Sequence, residues 1–222
     1  MNKKPQVLVF DVNETLLDMS PLKASVNAAL ENKNAFDIWF PMLLQYSLVE
    51  TLTGEYHDFS EIAAATFKML AEKWQFSFSE EKIKEILKPV TQLPPYPEVE
   101  EGLQTLTKEG IRLVALTNGK PLVAEEQLKF AKIDHLFEMI LSVEVVQKYK
   151  PHEATYHYVL EQINSSAENA MMVAAHGWDI AGAINAGLKT AFIKRPGKSL
   201  YPLAEEPTLQ VASITALAKE LL

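Results

Sequence analysis

The chain contains no cysteine and only 8 glycines in 222 residues. Without thiols there is no disulfide and no thiolate metal site. None of the glycines falls into the phosphate-cradling patterns of P-loop or dinucleotide-binding proteins, and no Gly-x-Ser-x-Gly elbow is present. No apolar run approaches the ~20 residues that a membrane-crossing helix needs, so no membrane partner is expected. Positive charge is also scarce. The 21 Lys and Arg face 29 Asp and Glu, a formal net charge of −8, which leaves no basic footprint for nucleic acid. A small anionic substrate must therefore be held by local donors against the field of the whole molecule. The chain starts with two lysines and then a short apolar run. That run is too short for a signal sequence and no small-residue cleavage site follows, so a cytoplasmic location is expected.

What the chain does have is an ordinary globular balance, 48% hydrophobic and 23% charged, enough to bury a sizeable core. Short apolar runs at 6–10, 111–116, 139–143, 170–174, 190–193 and 209–211 read as strands, several of them uninterrupted, as in a buried parallel sheet. Helical periodicity over 99–109, 121–131, 154–163, 179–186 and 214–222 separates them. Alternating strands and helices predict an α/β fold, a Rossmann-like parallel sheet with helices on both faces. Between the first two strands the alternation breaks. Helical patterns at 21–31, 35–51, 59–74 and 79–87 predict an inserted helical cap. The expected division is a core of 1–15 and 94–222 with a cap of 16–93, Pro94, Pro95 and Pro97 marking the return to the core.

Sites in such sheets form at the carboxyl ends of strands, and three candidate segments fall there. Asp11 closes the first strand. It either caps local backbone or serves chemistry; Thr15 is placed to donate a hydroxyl to it, and the amides of residues 12–14 to form an anion nest. Thr117-Asn118-Gly119 is either a plain turn or a place where the Thr117 hydroxyl and the Asn118 amide bind a substrate anion. Asp179 follows the fourth strand, as a helix N-cap, as a partner for a lysine, or as both. Lys150 precedes Pro151, which favours extended backbone, and a helix starts next. A lysine in that loop can neutralise Asp11, whereas Lys148 reads as a solvated surface residue. His176 is a lone histidine suited to a polar supporting role. Neither it nor His57, His135, His152 and His157 shows metal-ligand spacing, so no metal is expected.

The order Asp11 to Thr15, Thr117-Asn118, Lys150-Pro151 and Asp179, with a helical cap after the first strand, resembles the haloacid dehalogenase-like superfamily. Within it the chain is most similar to the (S)-2-haloacid dehalogenases of type II. The phosphatase members carry a general-acid aspartate two residues after the nucleophile; here Asn13 stands there and cannot donate a catalytic proton. They also carry a pair of acids in the fourth motif, where Ala175 replaces the first and weakens a magnesium site. Tyr156 matches a dehalogenase tyrosine, and the resemblance places it among the substrate-binding residues. Two departures stand out. Phe40 falls at the position of a cap arginine that receives halide, and Ala174 and His176 stand where a serine and an asparagine are usual.

The resemblance implies hydrolysis of short (S)-2-haloalkanoic acids to 2-hydroxy acids through an aspartyl ester on Asp11. Lys150 would keep Asp11 ionised. Thr15, Thr117 and Asn118 would orient Asp11 and the substrate carboxylate, and Asp179 would fix Lys150. His176 would assist the hydrolytic water, and Trp39, Phe40 and Tyr46 would line an apolar, water-excluding pocket. A small-molecule carboxylate is the expected partner, and a homodimer the expected assembly. No cofactor is expected. The alternatives are a magnesium-dependent phosphohydrolase of the same superfamily, and a binding protein that has lost the chemistry.

Overall fold

A computed structural model describes residues 4–222; the lysine-bearing start of the chain falls partly on residues 1–3, outside the described residues. Strands β1 (Val7–Phe10), β2 (Arg112–Thr117), β3 (Met139–Ser142), β4 (Ala170–Ala174), β5 (Lys189–Ile193) and β6 (Leu209–Val211) form one sheet in the order β3-β2-β1-β4-β5-β6. All its pairings are parallel. β1 is buried along its whole length, because helices cover both faces of a parallel sheet, and this is why its sequence is apolar without alternation. Phe10 pairs with Ala115 of β2 and Val173 of β4. The strand order reverses beside β1, the position where open α/β sheets build their crevice.

Helix α5 (Val99–Lys108) leads into β2, and α6 (Pro121–Phe130), α7 (Glu153–Gln162), α8 (Gly177–Asn185) and α9 (Ile214–Leu221) follow β2, β3, β4 and β6. Every expected strand and helix is present, with ends displaced by a residue or two as helix and strand termini commonly are. One displacement matters: α8 begins at Gly177 rather than at Asp179. His176 is therefore its N-cap residue, without a side-chain cap bond, and Asp179 lies inside the first turn. The expectation of Asp179 as N-cap is corrected accordingly.

Between β1 and β2 come α1 (Ser20–Ala29), α2 (Ala35–Thr53), α3 (Phe59–Lys73) and α4 (Glu80–Leu87). Each has a local reason to start or stop. Asp58 caps α3 by accepting from the amides of Ser60 and Glu61, while Glu61 answers on the Asp58 amide. Ser79 caps α4, and Gly54 ends α2 at φ +81°, a conformation that suits glycine. Trp39 and Phe36 of α2 and Phe67 of α3 meet edge to face inside this helical layer.

The chain enters and leaves this layer through one neck, where Tyr96 N bonds Leu16 O at 3.0 Å and Asp18 N bonds Pro94 O at 2.8 Å. A second attachment joins the layer to the loop before α7. The Tyr149 amide donates to Thr51 Oγ1 at 2.9 Å, and Lys148 Nζ donates to Thr51 O at 3.1 Å. Lys148 is thus half-buried and engaged, not a freely solvated lysine. No helix among the described residues is long and apolar enough to cross a membrane.

Candidate active site

β1 delivers Asp11 to the carboxyl edge of the sheet, where its amide continues the ladder onto Val173 O at 3.0 Å. Past it the chain folds back tightly: the amides of Leu16 and Leu17 both bond Val12 O, and Glu14 sits at φ 59°. This turn brings Thr15 over Asp11. The Thr15 hydroxyl donates to Asp11 Oδ2 at 2.7 Å and accepts from the Ala175 amide at 2.9 Å. The expected anion nest is incomplete, because the Glu14 amide is spent on Leu17 O.

Lys150 reaches the same carboxylate from the loop before α7. Its ammonium donates to Asp11 Oδ1 at 2.9 Å, Asp179 Oδ2 at 2.7 Å and Leu116 O at 3.1 Å, so all three protons are used in a site that leaves the residue 2% exposed. Asn118 holds the backbone of this lysine, its Oδ1 accepting from the Lys150 amide at 3.0 Å. Asp179 is fully buried, and Tyr156 donates to its Oδ1 at 2.6 Å. Gly182 makes this packing possible: a Cβ there would lie 2.4 Å from Pro151 Cβ and 2.7 Å from the Tyr156 hydroxyl.

His176 closes the constellation. Its Nδ1 lies 3.1 Å from Asp11 Oδ2 and its Nε2 lies 2.9 Å from Glu14 Oε2, while Trp178 stacks on the ring with centroids 5.1 Å apart. Lys198, in the loop after β5, bonds the same Glu14 carboxylate. Three carboxylates, Asp11, Glu14 and Asp179, thus interleave with three cationic side chains, Lys150, His176 and Lys198.

The charge states follow from these neighbours. Burial pushes the Asp11 carboxyl up, but Lys150 and His176 outweigh it and hold Asp11 far below the usual carboxylate range. Burial also works against the Lys150 ammonium, yet the two aspartates raise its pKa overall. Asp179 is raised, first by burial and then by the charge of Asp11, against the pull of Lys150. Burial disfavours the His176 imidazolium, but bonds to Asp11 and Glu14 prevail and lift its pKa to about 9. Near neutral pH the nucleophile candidate is therefore an anion with two cations on it.

The family model for haloacid dehalogenase-like hydrolases matches residues 8–193, most of the chain. The chain belongs to that family. Its curated relatives include haloacetate dehalogenase H-2 of Moraxella sp. (strain B), 26% identical over 217 residues and 97% of each chain. Another is the (S)-2-haloacid dehalogenase of Pseudomonas sp. (strain YL), 23% identical over 96% of this chain and 92% of the relative. Among solved structures, the L-2-haloacid dehalogenase of Xanthobacter autotrophicus with chloropropionic acid covalently bound superposes with a TM-score of 0.91 at 21% identity, covering 97% of each chain. A Bacillus subtilis structure bound to magnesium superposes with a TM-score of 0.77 at 22% identity, covering 99% of each chain.

In this haloacid dehalogenase-like hydrolase the candidate residues fall into two groups. Asp11, Thr15, Lys150, Asp179 and His176 converge on one point, with Asn118 fixing the backbone of Lys150. Thr117 and Tyr156, expected among the substrate-binding residues, bond protein groups. The Thr117 hydroxyl accepts from the Gly119 amide at 3.0 Å and shapes the turn, and Tyr156 is fully buried against Asp179. Trp39 and Phe40 border a cavity of about 450 Å³ that begins at Asn13 and Gly119. Phe40 stacks on Phe36, ring centroids 5.4 Å apart, and brings no charge. Tyr46 does not line the cavity and is 36% exposed.

Sequence reasoning missed Glu14, Lys198 and Arg195. The last two come from the loop after β5; Arg195 braces the turn by donating twice to Thr15 O while pairing with Glu98. Only the place of Glu14 in the strand-end turn could have drawn attention to it.

Proposed function

We propose that this hydrolase converts (S)-2-haloalkanoic acids to 2-hydroxy acids through an aspartyl ester on Asp11. The observation that carries this reading is the state of Asp11: an ionised carboxylate between an ammonium, a hydroxyl and an imidazolium, with no acid two residues on. Asn13 instead accepts a bond from Gln127 at 3.0 Å. Such a site suits a leaving group that departs as a stable anion and needs no proton.

In the first step an Asp11 oxygen attacks C2 of the substrate, the C–halogen bond breaks, and halide leaves with the electron pair. Asp11 then carries no charge. His176 loses one of the two anions that raised its pKa and releases its proton to solvent, while Glu14 keeps Nε2–H in place and turns the Nδ1 lone pair toward Asp11 Cγ. Neutral His176 takes a proton from water, and hydroxide adds to Cγ. The tetrahedral oxyanion keeps Lys150 or Thr15 as donor, according to which oxygen formed the ester. Collapse breaks the Cγ–O(C2) bond; the 2-hydroxy acid leaves with the proton of the added hydroxyl, and Asp11 returns as carboxylate beside a protonated His176. One proton and one halide are released per turnover. Thus a histidine–carboxylate pair serves the second step, with the orienting logic of a catalytic triad.

Magnesium does not fit these residues. Both Asp11 oxygens are taken by donors, two of them cationic, and Ala175 supplies no oxygen where a second acid would stand. Among the described residues no three His, Asp or Glu side chains converge as metal ligands. The test is chloride release from (S)-2-chloropropionate without divalent metal, followed by one turnover in ¹⁸O-water. The label is expected in the Asp11 carboxylate. Background chloride release together with magnesium-dependent cleavage of phosphate monoesters would overturn the assignment.

A further inference from the structure

A large, mainly apolar cavity opens at Asn13, in the turn that follows Asp11, and at Gly119. Its floor is the turns after β1 and β2, and its walls are Trp39, Phe40, Leu43, Phe59, Val90 and Val123. At ~30 Å³ of liquid per water, about 450 Å³ holds roughly fifteen waters, whereas a three-carbon halo acid displaces only roughly four.

The polar side chains along this wall are committed to one another. Lys120 pairs with Asp58 at 2.8 Å, Asp58 caps α3, and Glu61 returns to the Asp58 amide at 3.0 Å. Gln127 spans from Asn13 Oδ1 to Val90 O, at 3.0 and 2.8 Å. Lys84 and Lys88 also line the cavity and are exposed. Most of the remaining lining is apolar, with Trp39, Phe40 and Phe59 as aromatic walls.

Resting on the dehalogenase reading, we infer that the preferred substrates are 2-halo acids with a bulky apolar body, an aryl group or a chain of about six carbons, laid against Trp39, Phe40 and Phe59. Phe40 is central. A charged side chain at that place would face a desolvated ring or chain, while a phenyl wall offers it contact. The substrate carboxylate and C2 stay at the end formed by Asn13 and Gly119, on the turn that carries Asp11, and the substituent on C2 fills the volume under α1, α2 and α3.

The experiment measures kcat/KM for 2-chloropropionate, 2-chlorobutanoate, 2-chlorohexanoate and 2-chloro-3-phenylpropionate. Each methylene that becomes buried is expected to raise it about fourfold, and the phenyl compound to exceed the propionate by more than about tenfold. A second arm uses Asp11→Asn protein and calorimetric titration with lactate and 3-phenyllactate, where the phenyl acid is expected to bind at least about tenfold more tightly. Ala64→Phe, which pushes a ring into the cavity from α3, should bring both ratios down toward one, with its melting temperature recorded to establish folding. Flat or falling ratios in the unsubstituted protein overturn the inference. Tighter binding of phenyllactate without halide release from any 2-halo acid supports the cavity inference and sinks the dehalogenase reading alone.

Discussion

Replacing His176 by asparagine removes one positive charge from Asp11 and Glu14 while keeping an amide of similar reach. In the folded protein the imidazole titrates near pH 9, against 6.5 for the free side chain. A folded-state pKa that is raised stabilises the fold fully below the unfolded value, and the contribution is lost as pH rises through the folded value. At 1.36 kcal/mol per pH unit, the shift corresponds to about 3 kcal/mol, most of it surrendered between pH 6.5 and about 9. Urea unfolding of the native protein across that window should show this decline, and His176→Asn should lie low and nearly flat. On the proposed mechanism the same variant also lacks the base for ester hydrolysis. With excess 2-chloropropionate it should release about one chloride per site and accumulate alkylated protein, visible as a mass increase on Asp11. Parallel pH slopes for the two proteins refute the electrostatic argument. Full turnover by His176→Asn, with no alkylated intermediate, refutes the kinetic one.

Lys150→Met leaves Asp11 and Asp179 buried together without a cation. Stability should fall by about 3–5 kcal/mol in denaturant titration, halide release should drop to background, and the acid limb of any residual pH–rate profile should move upward as Asp11 becomes harder to ionise. Tyr156→Phe removes one donor from Asp179 and should cost about 1–3 kcal/mol of stability, with kcat lowered much less than in Lys150→Met. Gly182→Ala forces α8 away from Pro151 and Tyr156, so activity should fall with little change in KM; native-like kinetics would show that the loop carrying Lys150 has slack.

The sheet and its helices were legible because each strand is a short apolar run and each helix a periodic one, patterns that survive in a single sequence. The line Asp11, Thr15, Lys150, Asp179 was legible for a related reason: strand ends and a proline-fixed loop leave few places for those side chains. Glu14 was not, since an acid in a turn looks solvated until a histidine 162 positions away is folded onto it. Lys198, 184 positions from Glu14, carries no local signal at all. Tyr156 was found by resemblance, but its bond to Asp179 depends on the close approach of α7 to α8 at Gly182, which the sequence of α7 does not show. His176 gained its importance only when both ring nitrogens proved to be occupied by carboxylates.

The backbone bonds that tie residue 16 to residue 96 and residue 18 to residue 94 put departure and return of the helical insertion side by side. Changes beyond that junction spare the end of β1 as long as they keep Thr51, whose hydroxyl and carbonyl hold Tyr149 and Lys148 beside Lys150. On the proposed reading, selectivity for the body of a substrate and the bond-breaking step can then be inherited largely separately, the Thr51 contact being the hinge between them.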